Sequence, residues 1–196
     1  MTSADETSTV YSRRGLVAKA LVAAAALGVG VDAVSDPAGA ASRAQDANIL
    51  NFLLRLERIQ AAFFARAARA RSSSGEFRQF AKVVAEQDAA HVDELQSLLR
   101  ANAERSQFKL RPVPRDADAF TQAALNLKEA TVAAYIGEAA NLSVDRLTPV
   151  ASILSVDARH AAWIRSIADA LPAPRAADPA AAPRTVLRTI ERSVID

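Results

Sequence analysis

A chain of 196 residues with 24 basic and 22 acidic side chains has room for one ordinary domain. Its net charge of +2, with no basic tract interleaved with aromatics, speaks against nucleic-acid binding. The absence of cysteine excludes disulfides, thiolate zinc sites, iron–sulfur clusters and thiol nucleophiles together, and a composition with six glycines and abundant alanine favours helix.

Residues 1–40 read as an export signal set apart from the fold. Tyr11-Ser12-Arg13-Arg14-Gly15-Leu16-Val17 precedes an apolar run, Leu16–Val34, broken only by Lys19 and Asp32. The small-x-small triplet Ala38-Gly39-Ala40 then offers a cleavage site. This segment resembles a twin-arginine (Tat) signal, which implies the Tat translocation machinery as a partner and a periplasmic or extracellular, secreted destination. An uncleaved membrane anchor over residues 16–34 is the alternative.

Residues 41–171 carry four helical patterns. The first covers about Asp46–Arg71: Leu50, Leu53, Leu54, Ala61 and Phe64 form a stripe around Glu57, with Arg55, Arg58, Arg66 and Arg69 on the opposite, wet face. The second covers about Ser74–Ala103, with Ser73 and Glu76 as a capping box. Its inner face holds Phe77, Ala81, Val84, Asp88, His91, Leu95 and Leu98. Glu104–Arg115, with Pro112 and Pro114, then forms a connection that reaches about 40 Å when extended, enough to return the chain to the other end of a bundle. The third helix, about Asp116–Leu142, places Leu125, Glu129, Val132, Ala133 and Ile136 on one stripe. The fourth opens at Thr148-Pro149 and lines Val150, Ile153, Leu154, Asp157, His160, Ala161, Ile164 and Ile167 inward. Residues 172–196 read as a Pro/Ala linker followed by a short amphipathic helix over Arg184–Ile195, which packs on the bundle or on a partner.

The side chains that interrupt the four stripes are Glu57, Asp88 with His91, Glu129, and Asp157 with His160. Each of the chain's two histidines follows an aspartate by three residues, so each pair shares one helix face. Carboxylates and imidazoles from separate helices make a ligand set for a first-row transition metal. Tyr135 and Trp163 read as packing aromatics, and Glu86, Asp93, Glu94 and Glu138 as solvated charges, with Glu94 close enough to His91 to support it from outside. There is no nucleophile elbow and no phosphate-binding glycine loop.

Here the chain resembles the ferritin-like superfamily of di-iron or di-manganese carboxylate proteins, and in particular its exported bacterial, desiccation-related members. Asn48 through Glu57 to Phe64, Glu86-Gln87-Asp88-Ala89-Ala90-His91-Val92, Ala133-Ala134-Tyr135-Ile136-Gly137 and Ile153 through His160 carry the resemblance, over about residues 46–170. It implies an all-α, ferritin-like four-helix bundle with a long crossover between its second and third helices. It further implies two divalent metal ions, iron or manganese, held by Glu57 and Glu129 as terminal carboxylates, His91 and His160 as imidazole ligands, and Asp88 and Asp157 as bridges. The chemistry so implied is reaction with dioxygen or peroxide; no small-molecule substrate follows from it, and homo-oligomer formation is left open.

Two departures bear on that expectation. Both bridging positions carry Asp where the family usually has Glu, a side chain shorter by about 1.5 Å. Phe64 stands where several relatives have a tyrosine. Charge sets a further condition. Four buried carboxylates carry a charge that two divalent cations would cancel; without metal each must be paired or take a proton, and arginines on the outer faces cannot easily serve, so something in the core must. The alternative function is a metal-free structural or stress-related envelope bundle with a degenerate site.

Overall fold

The computed structural model of the chain describes residues 37–70 and 75–196, with side chains from residue 42 onward. The expected leader lies outside the described residues except for its last four, which fall within the first helix, and Ser73 of the expected capping box also lies outside them. Among the described residues there are five helices and no strand: α1 (Pro37–Arg69), α2 (Gly75–Leu99), α3 (Ala117–Ala139), α4 (Val144–Ile167) and α5 (Pro183–Val194). A 3-10 turn, Arg100–Asn102, extends α2. None of these helices is long and apolar enough to cross a membrane.

Helices α1 to α4 form a bundle whose directions follow from its end contacts. Phe63 near the end of α1 stacks on Phe120 near the start of α3, at 5.9 Å between centroids. Asp46 near the start of α1 accepts hydrogen bonds from the Ser143 amide (2.9 Å) and hydroxyl (2.6 Å), where α3 gives way to α4. Trp163 near the end of α4 donates to Glu76 at the start of α2. Helices α2 and α3 therefore both run opposite to α1 and α4, and only a crossover along the bundle's length can connect them.

That crossover lies against α1, and the helix side chains hold it by its backbone. Asn51 donates to the Asn102 carbonyl (2.9 Å) and accepts from the Glu104 amide (2.8 Å). Arg58 donates to the Glu104 carbonyl and to Gln96, and Arg66 to the Leu110 carbonyl. Residues 51 and 66 stand about 22 Å apart along a helix axis, so the segment runs extended beside α1. Arg58 and Arg66, expected on a wet face, instead satisfy the carbonyls of a strand-like segment that has no sheet to join. Leu56, Ile59 and Phe63, beside the predicted stripe, are buried as well.

Helix α4 begins earlier than expected. Ser143, not Thr148, is its N-cap residue, and Asp46 from α1 fixes it in place. Pro149 consequently lies inside the helix. The bond it cannot make would go to the Asp145 carbonyl, and Asp145 is exposed in the first turn, where solvent has access.

The C-terminal segment packs on the bundle. Val186, Ile190 and Val194 are buried on one face of α5, which lies on α3. An isolated antiparallel bridge joins Leu110 of the crossover to Ile195. The linker is tied as well: the Ala181 amide donates to the Ala133 carbonyl at 2.9 Å. Gly137, one turn further along α3, permits this approach, because a Cβ there would press on the Ala181 carbonyl oxygen. Backbone on both sides leaves no flexible atom to yield. Gly137→Ala is expected to cost about 1–3 kcal/mol and to speed proteolysis within residues 172–182, measured by denaturant unfolding and limited digestion.

Candidate metal centre

The bundle's apolar core closes over a small group of ionisable side chains. Glu57 from α1, Asp88 from α2, and Lys128 from α3 with Asp157 from α4 are all fully buried, and His91 and His160 nearly so. On one side of this group lie the edge-to-face rings Phe63–Phe64, Phe64–Phe80 and Phe80–Trp163. The two Asp-x-x-His pairs meet as the helical spacing requires: the rings of His91 and His160 lie 6.4 Å apart, and both direct Nδ1 toward the aspartates.

The third helix departs from expectation. Glu129 is about half exposed and takes hydrogen bonds from Arg165 of α4, at 3.0 Å from Nε, with Nη2 at 2.9 Å. It does not enter the centre. Its neighbour Lys128 does, donating to Asp88 Oδ1 at 2.7 Å and Asp157 Oδ1 at 2.8 Å. The ammonium also lies 5.4 Å from the centroid of the Phe64 ring, within cation–π range. Successive helix residues differ by about 100° in direction, so an offset of one turns a side chain from core to rim. Thr131 shares the inward face of Lys128 and covers its own hydroxyl by donating to the Leu127 carbonyl.

Tyr135, expected only to pack, is also part of the centre. Its hydroxyl donates to Glu57 Oε1 at 2.7 Å, while Gln60 Nε2 and His91 Nδ1 lie 3.4 Å from Oε2. Tyr135→Phe would leave a buried carboxylate oxygen without its donor, so a loss of about 1–3 kcal/mol is expected in denaturant unfolding. A ring that merely filled space would give a change well below that. His160 Nε2 lies 2.6 Å from Gln87 Oε1, which assigns the proton to Nε2 and leaves Nδ1 as the free acceptor. Glu94, considered as a support for His91, is exposed.

Electrostatics within the centre follow from burial and one cation. Burial pushes the Glu57 and Asp88 carboxyls well above the ordinary range, and neighbouring carboxylates add to it. Burial acts on Asp157 in the same direction, but the Lys128 ammonium outweighs it and holds Asp157 well below that range. For Lys128 burial favours the neutral amine, yet the carboxylates of Asp157 and Asp88 overcome it and keep the ammonium charged. Burial lowers both histidines, so each is neutral at pH 7.

Four of the six expected ligands come together: one ligand atom each from Glu57, Asp88, His91 and Asp157, all within 4.8 Å of one another. His160 lies outside this group of four, although its Nδ1 is 3.4 Å from Asp157 Oδ1. Asp88 Oδ2, Asp157 Oδ2 and His160 Nδ1 are buried with no hydrogen-bond partner. Three carboxylates and an imidazole suit a divalent first-row ion, and unpartnered lone pairs in a dry core are what such an ion would satisfy. An acid from the third helix, which the expected pair of ions requires, is missing.

A family model described as a ferritin-like domain matches residues 45–170. No curated protein matches the chain.

Proposed function

The chain belongs to the ferritin-like family, and from that premise we propose that it is an exported metal-binding bundle whose centre takes a divalent cation through Glu57, Asp88, His91 and Asp157. The observation that carries this reading is the group of four ligand atoms within 4.8 Å in a buried core. With its carboxylates ionised and Lys128 charged, that core has an excess of negative charge, which a divalent cation cancels without the proton uptake that Glu57 and Asp88 otherwise favour. Iron or manganese held there would supply redox chemistry toward dioxygen or peroxide. The chain's own residues contribute orientation: Tyr135 fixes one oxygen of Glu57, Gln87 fixes the tautomer of His160, and the aromatic rings exclude water. Export rests on the twin-arginine pattern Arg13-Arg14 and the apolar run after it, and the desiccation-related type on the motif resemblance. Arg13→Lys with Arg14→Lys should retain the protein in the cytoplasm if that route is used.

A metal-free scaffold is the competing reading, favoured by the hydrogen bonds from Lys128 to both aspartates. Elemental analysis separates the two. Full-length protein, stripped with chelator and equilibrated with manganous or anaerobic ferrous ion, is expected to keep metal through gel filtration, and His91→Ala to keep none. Absence of metal in the unsubstituted protein would leave only the scaffold.

A further inference from the structure

We propose that Lys128 is a built-in cation standing in place of a second metal ion, so that the centre takes one external ion and not two. This rests on the metal-binding reading and deepens it. The ammonium donates to one oxygen of each aspartate, Asp88 Oδ1 and Asp157 Oδ1, and so joins α2 to α4 through α3 as a shared ion would. Its charge counts against the same carboxylates: three acids and one ammonium leave an excess of two negative charges, which a single divalent ion cancels. Two such ions would leave the core positive.

The unpartnered aspartate oxygens mark the division. Lys128 uses only the Oδ1 atoms, while Oδ2 of Asp88 and of Asp157 remain buried and free. Lys128 forms no ion pair with Glu57, whose Oε2 lies 3.4 Å from His91 Nδ1. Glu57, His91 and the two free aspartate oxygens are thus the donors left for an external ion. His160 stands with the half that Lys128 fills: its Nδ1 faces Asp88 Oδ1 and Asp157 Oδ1 at 3.7 and 3.4 Å, the two oxygens that the ammonium already engages. Short bridging side chains fit this arrangement, because an ammonium makes hydrogen bonds of about 2.8 Å where a metal needs contacts near 2.0–2.2 Å.

The test is stoichiometry on the full-length chain, stripped of metal and titrated with manganous ion, read by calorimetry and by elemental analysis after gel filtration. One equivalent is expected, with the electron paramagnetic resonance spectrum of an isolated manganous ion. Lys128→Met, which keeps the length and removes the charge, should still bind one equivalent, at least tenfold more tightly. Lys128→Glu restores the missing acid and should bind two, with a spin-coupled spectrum. His160→Gln should leave the single equivalent in place. Two equivalents in the unsubstituted protein would overturn the inference and leave the metal-binding reading standing; so would Lys128→Met binding no more tightly, which decides the matter if Lys128→Glu does not fold. No metal in either the unsubstituted protein or Lys128→Met would overturn that reading, and the inference with it.

Discussion

Lys128→Met in metal-free protein is expected to lower stability by about 3–5 kcal/mol at pH 8, the usual consequence of removing one partner from a buried ion pair. The side chain is fully buried and donates to two carboxylates at 2.7 and 2.8 Å, so its loss leaves Asp88 and Asp157 without the cation that offsets them in the core. The deficit should shrink on acidification. Glu57 and Asp88 have folded-state values raised above those of the unfolded chain. Over the window from about pH 4 upward to those values the folded state binds more protons, so their contribution to stability is greatest at low pH and falls as pH rises. Lowering the pH lets the variant neutralise its carboxylates by protonation. In the unsubstituted protein the Lys128 contribution is fully present below about pH 10.5, the value for the unfolded chain, and is lost only as pH rises through its higher folded value. Denaturant unfolding of both proteins at pH 5 and pH 8 tests this. A difference below about 1 kcal/mol at both would mean that the ammonium does not neutralise the core.

The distribution of legible and illegible features has a physical basis. The Asp-x-x-His pairs were readable because each lies in a well-marked apolar stripe on a helix with one wet side, and the structure places Asp88, His91, Asp157 and His160 together. Glu57 was readable for the same reason. Helix α3 gives no such cue: it is covered by the bundle on one side and by α5 and the linker on another, and the whole run from Thr131 to Tyr135 is buried. Periodicity fades when a helix is apolar nearly all round, and the stripe drawn through Glu129 was one residue away from the inward face. A mid-helix lysine normally reaches to solvent, which hid Lys128. Charge was the available signal. The need for something in the core to neutralise the acids was legible, and Lys128, between Ala124 and Tyr135 on one face of α3, is the side chain that partly meets it. The crossover's existence followed from its length, but its clamp by Arg58 and Arg66 did not, because an arginine that binds backbone carbonyls looks the same in sequence as one that faces water.

Ile190→Ala is expected to destabilise the whole bundle by about 2–5 kcal/mol, the range for truncating a buried aliphatic side chain, and not merely to loosen the C-terminus. Ile190 is completely buried on α5, between Val186 and Val194 on the same face. What it covers is α3, the helix that carries Lys128 and Tyr135 into the centre, and that helix has apolar surface on both sides. The end of α5 also holds the crossover: the Arg111 amide donates to the Val194 carbonyl and the Asp196 amide to the Lys109 carbonyl, each at 2.9 Å. The adjoining pairs of Asp196 with Lys109 and Arg111 are largely exposed and contribute little. Apolar burial therefore dominates. Unfolding of Ile190→Ala should stay a single transition at lower denaturant, with faster amide exchange at residues 109–111 and in α3. Glu191→Ala, one position away on the exposed face, should change stability by less than about 0.5 kcal/mol. If Ile190→Ala proved as mild, α5 would be an appendage, and the support for the Lys128-bearing helix would have to come from the bundle alone.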